Sequence, residues 1–229
     1  MNQILYDYYI LHLISISMNF TPLKYRFVAA NEQAAQRYTL VLLHGTGGDE
    51  NDLIHLAEEL TEGQTNLLGF RGNVLENGYT TRFFRRMGTG IFDHADLHFR
   101  TEELVSSLQD IAGKLGFDQS KLIALGYSNG ANIGGAILQK YPTLLSGAAF
   151  WRPMLPLPEE KPLESNKAPV LLTSGSSDPY YQPKAMKDYE HLLETAGFQV
   201  QHELIPSSHN LTQKDLQLTK EWLKKHFDI

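Results

Sequence analysis

Cysteine is absent from the 229 residues. That excludes disulfides, thiolate nucleophiles and thiolate metal sites together, and it is compatible with a reducing cytoplasm, the expected location. Basic clusters are also lacking beyond the short stretch 82–86, and the formal charge is −6, so the electrostatic footprint of a nucleic-acid binder is missing. No glycine-rich run fits either phosphate-binding pattern, G-x-x-x-x-G-K-[ST] or G-x-G-x-x-G. Internal repeats, low-complexity tracts and linker-like segments are not found either. The expected chemistry therefore uses neither cofactor nor metal.

No apolar run is long enough to span a bilayer, which takes about 20 mostly apolar residues. The most apolar stretch, residues 1–17, is shorter and carries Asp7 and His12. It also lacks the basic start and small-residue cleavage site of a secretory signal. Three readings of it stay open: an extra element packed on the domain, an apolar lid or interface suited to a homodimer contact, or residues upstream of a start at Met18. With 42% hydrophobic residues, the remainder, 18–229, is expected to form one α/β domain with a sizeable core.

Short β-type runs alternate with helical patterns from Tyr25 onward, which predicts a mostly parallel sheet covered by helices on both faces. The expected strands are 24–29, 38–43, 66–70, 121–127, 148–151, 170–174 and 199–204. Several are continuous apolar runs, as strands buried on both faces should be. The expected helices are 51–60, 102–115, 131–141, 183–196 and 212–227, with Thr101 as a cap for the second and Gly197 closing the fourth.

Gly126-Tyr127-Ser128-Asn129-Gly130 follows one of those apolar runs and precedes a helical segment rich in small residues. Strand, sharp turn and helix are the context of a G-x-S-x-G nucleophile elbow, in which a strained serine stands exposed at the top of a sheet. A serine needs a positioned base, and the base needs an acid that fixes its tautomer. Asp178 lies just past the run 170–174, and His209 just past 199–204, in the order serine, acid, histidine. The other histidines fall on helices, loops or strands where packed or surface roles are ordinary. Asn129 N–H, after the nucleophile, and Thr46 N–H, in the loop His44-Gly45-Thr46-Gly47-Gly48, are the candidate oxyanion donors. His44 itself reads as structural.

These segments, with Val41-Leu42-Leu43 before the glycine loop and Gly175-Ser176-Ser177-Asp178-Pro179, resemble the phospholipase/carboxylesterase family of α/β hydrolases. The stretches 71–78, 82–86 and 152–156 are similar to its bacterial subgroup associated with methylhydroquinone resistance, the MhqD type. The resemblance runs from about Phe20 to the C-terminus and implies the α/β-hydrolase fold. It also implies a cofactor-free carboxylesterase cleaving small esters through an acyl-enzyme on Ser128, with Asp178 and His209 completing the triad. Acyl thioesterase or lysophospholipase activity, or a binding protein on the same fold, are the alternatives. Bulky Phe83, Phe84 and Trp151, with Met154, are the candidate pocket residues, predicting a narrow apolar acyl or aryl site. Arg82, Arg85 and Arg152 either hold a substrate carboxylate or serve in structural ion pairs.

Overall fold

The computed structural model describes residues 20–31, 38–160 and 163–229; residues 1–17, with the readings given for them, lie outside that set. Seven strands form one sheet in the order β1-β3-β2-β8-β9-β10-β11, where β1 is Tyr25–Val28, β2 Thr39–Leu43, β3 Asn66–Phe70, β8 Leu122–Tyr127, β9 Gly147–Trp151, β10 Pro169–Gly175 and β11 Gln199–Ile205. Only β1 runs antiparallel to its neighbour; the rest are parallel. This is the α/β-hydrolase architecture, and each strand matches one of those expected from the sequence.

Side chains alternate across the sheet with a period of two. Val41 and Leu43 face one core with Leu104, Ile137 and Leu193, while Leu40 and Leu42 face the other with Leu60 and Leu223. Helices α2 (His94–Leu115), α3 (Asn129–Lys140) and α4 (Pro183–Thr195) therefore cover one face, and α1 (Ile54–Thr61) and α5 (Gln213–Phe227) the other.

Two local expectations need correction. Helix α2 starts at His94, not at Glu102, because Asp93 accepts the Asp96 N–H at 3.0 Å and caps it there; Thr101 lies inside the helix with its hydroxyl bonded to Leu97 O. Between β3 and α2 the chain also makes two small hairpins, β4 (Val74–Glu76) with β5 (Thr80–Arg82), and β6 (Arg86–Gly88) with β7 (Ile91–Phe92). Asn77-Gly78, both at positive φ, supplies the first turn, and such strands are too short to show periodicity.

One buried ion pair joins three of these elements. Arg152, just after β9, makes a two-pronged contact with Asp215 of α5 at 2.7 and 2.9 Å, both side chains fully buried. The same guanidinium donates to Thr173 of β10 and to Ser207, Ser208 O and Asn210 O in the loop after β11. Asp215 also caps its own helix with Thr212. Burial pushes the Asp215 carboxyl up, but hydrogen bonds from Arg152, Thr173 and Thr212 outweigh it and hold the group below its ordinary value.

A carboxylate whose folded value is depressed contributes stability above the ordinary carboxylate range and loses it as pH falls through the folded value. Asp215→Asn should therefore cost about 3 kcal/mol or more at neutral pH, since it leaves a buried guanidinium uncompensated. Urea unfolding of both proteins across pH should show that gap narrowing below about pH 4.

Candidate active site

β2 neighbours β8 and β10 neighbours β11, with β9 between the two pairs and all of them parallel, so the loops at their C-terminal ends converge at one edge of the sheet. Ser128 ends β8 and opens α3 at φ 52° and ψ −111°, a conformation that non-glycine residues rarely adopt. Its N–H is held by Trp151 O at 2.9 Å, and its carbonyl accepts the Asn132 N–H at 3.0 Å. The turn is tight enough that a Cβ on Gly126 would meet Ala131, and one on Gly130 would collide with the carbonyls of Leu43 and His44. Both glycines are therefore sterically required.

His209 Nε2 lies 2.8 Å from Ser128 Oγ, and its Nδ1 lies 2.7 Å from Asp178 Oδ2. A carboxylate only accepts, so Nδ1 carries the proton and Nε2 is free to accept from the serine hydroxyl. Asp178 is buried, with its other oxygen taking the Tyr180 N–H at 2.9 Å. The His209 ring is flanked by Tyr180 at 5.0 Å and Tyr127 at 5.6 Å, and the Tyr127 hydroxyl donates to His209 O. Ser128, Asp178 and His209 are thus brought into one hydrogen-bonded row, an arrangement able to deprotonate a hydroxyl as it attacks a carbonyl.

Asn129 N–H is the first of helix α3, where no intrahelical carbonyl can reach it, and the Asn129 side chain accepts the Phe83 N–H at 2.7 Å. Thr46 stands across the cleft; among the described residues neither its N–H nor that of Asn129 bonds a backbone acceptor. His44 holds the Thr46 loop in place, Nδ1 donating to Gly45 O and Nε2 accepting the Gly72 N–H at 2.9 Å. Burial lowers its pKa, with a backbone bond opposing, so the ring is neutral and its role structural. The cleft encloses about 250 Å³.

The pocket residues divide differently from the expectation. Met154 lines the cleft, its N–H held by Asn132. Phe83, Phe84 and Trp151 do not: all three are buried in the two cores. Phe83 stacks on His44, Phe84 meets Phe92 edge-on, and the Trp151 indole donates to Thr219 at 2.9 Å under α5. Large aromatics gain more from a dry core than from a wet cleft. The walls instead combine Arg82, Arg86 and Asn132 with the rings of Tyr127, Tyr180 and Phe92. Tyr127 directly precedes Ser128 and Tyr180 lies two residues after Asp178, which is the signal that could have found them. Among the described residues no group of His, Asp and Glu is arranged to hold a metal ion, and no helix is long and apolar enough to cross a membrane.

A family model described as Phospholipase/Carboxylesterase matches residues 94–227. MhqD of Bacillus subtilis (strain 168), named as a hydrolase, is 36% identical over 194 residues, covering 85% of this chain and 96% of its own. Among solved structures, the Bacillus cereus carboxylesterase is 38% identical, with 95% of this chain and 99% of that one covered and a TM-score of 0.84. YahD, solved with malic acid, is 29% identical over 89% and 99% of the two chains, with a TM-score of 0.82.

Gly130→Ala should force the start of α3 off β2. We expect overpacking to cost about 1–3 kcal/mol in urea unfolding, and the displaced Asn129 N–H to slow fluorophosphonate labelling of Ser128 about 100-fold.

Proposed function

The chain belongs to the phospholipase/carboxylesterase family of α/β hydrolases, and from that premise we propose that it is a serine carboxylesterase acting on small esters. The observation that carries the reading is the row Ser128, His209, Asp178, with hydrogen bonds of 2.8 and 2.7 Å at the strand ends of the sheet. His209 takes the proton from Ser128 Oγ as the oxygen attacks the ester carbonyl. The oxyanion of the tetrahedral intermediate rests on the N–H groups of Asn129 and Thr46. His209 then returns the proton to the leaving alcohol, which departs to give the acyl-enzyme. Water, deprotonated by the same imidazole, attacks the acyl carbon, and collapse of the second intermediate frees the acid and restores Ser128. Asp178 keeps the proton on Nδ1 throughout and stabilises the imidazolium formed in each half.

A cleft of about 250 Å³ sits at the low end of ligand-site sizes, which favours short acyl groups over the chains of lysophospholipids or acyl thioesters.

Purified protein should hydrolyse p-nitrophenyl acetate and butyrate and be labelled by a fluorophosphonate. Ser128→Ala should lose labelling and on the order of 10⁴-fold or more in kcat. Rates should fall steadily from butyrate to dodecanoate; a maximum at dodecanoate contradicts the small-ester reading, and turnover retained by Ser128→Ala contradicts the mechanism.

A further inference from the structure

We propose that the preferred ester carries an ionised carboxylate close to its scissile bond, and that Arg82 is the specificity residue that binds it; this rests on the esterase reading above. The guanidiniums near the cleft have different partners. Arg152 is matched by Asp215, Arg86 makes a two-pronged contact with Glu76 at 2.7 and 3.0 Å, and the exposed Arg85 pairs with Asp93 and Asp96. Arg82 is different: it is only 5% exposed, yet no carboxylate lies within 4 Å of its nitrogens among the described residues.

Its recorded bonds go to neutral acceptors, Nη1 to Thr46 Oγ1 at 2.6 Å and Nε to Phe84 O at 3.2 Å, while Nη2 has no protein partner among the described residues. Two neutral acceptors do not need a full charge, and burying an unpaired one is costly. Burial, with a smaller push from Arg86, lowers the Arg82 pKa; Glu76, already engaged by Arg86, and Tyr180 oppose the shift without cancelling it, and the guanidinium stays charged at neutral pH. With that compensation only partial, a further anion is to be sought in the cleft that Arg82 shares with Ser128, Thr46 and His209. The guanidinium bonds the side chain of Thr46, the residue whose own N–H is a proposed oxyanion donor. A carboxylate bound there lies a few bonds from the attacked carbonyl, and the fork geometry suits two oxygens.

The test compares charged and neutral esters in the same enzyme. Ethyl hydrogen succinate is paired with ethyl pentanoate, placing the charge on the acyl side, and O-acetylglycolate with propyl acetate, placing it on the alcohol side. Acid release is followed at neutral pH in the wild type, Arg82→Gln and Arg82→Lys, with fluorophosphonate labelling and thermal unfolding as controls on the site and the fold. In at least one pair, the wild type should favour the anionic ester by about 10- to 100-fold in kcat/KM. Arg82→Gln should abolish that ratio, mainly through KM, and Arg82→Lys should restore part of it. The inference is overturned if neutral esters are turned over with no anionic preference, if the preference survives in Arg82→Gln, or if that variant loses both members of a pair equally. Absence of both labelling and turnover in the wild type would instead remove the esterase reading, and this inference with it.

Discussion

The buried pair between Arg152 and Asp215 is the constraint on which the site depends. Most of the proposed catalytic row is held by regular structure: Ser128 by a strand and the helix after it, Asp178 by a turn closing β10. The histidine has no such support, since it sits in a loop between an edge strand and the last helix. Arg152 supplies the missing rigidity by donating to Ser207, Ser208 and Asn210, the residues around His209, while Asp215 anchors it to α5. An isolated ion pair at this depth would stabilise little, because desolvating two charges offsets their attraction. Here every arm of the guanidinium is engaged, so the pair acts chiefly to fix one geometry.

Strain and electrostatics then fall into place around that geometry. The positive-φ backbone at Ser128 costs on the order of 1–3 kcal/mol, and the surrounding structure holds it there through Trp151 O, the Asn132 N–H and the two glycines that let strand and helix approach. The same contacts place the first residue of α3, Asn129, at the cleft. The Thr46 loop opposite is pinned by a neutral His44 and by Arg82, so both proposed oxyanion donors are fixed before any substrate arrives.

Much of this was legible in the sequence, for identifiable reasons. The buried parallel strands of the sheet's centre read as continuous apolar runs, and the edge strands β1 and β11 were legible from their β-type patterns. The order Ser128, Asp178, His209 followed from the loops that end three of them. The pocket was not legible, because Phe83, Phe84 and Trp151 have the same composition whether they line a cleft or fill a core, and only the sheet register decides. The start of α2 was missed because Asp93 lies among hairpin residues with no helical periodicity before it. The roles of the arginines depended on partners distant in sequence: Asp215 is 63 residues from Arg152, and no local pattern announces that contact.

The central claim is that turnover passes through an ester of Ser128. The most direct measurement is rapid mixing with p-nitrophenyl trimethylacetate, whose acyl group hydrolyses slowly, followed by acid quench and intact-protein and peptide mass spectrometry. The account predicts a burst of p-nitrophenol equal to the enzyme concentration, and one trimethylacetyl group on the peptide that bears Ser128. Steady turnover with neither burst nor adduct would mean that water attacks the ester directly, and would contradict it.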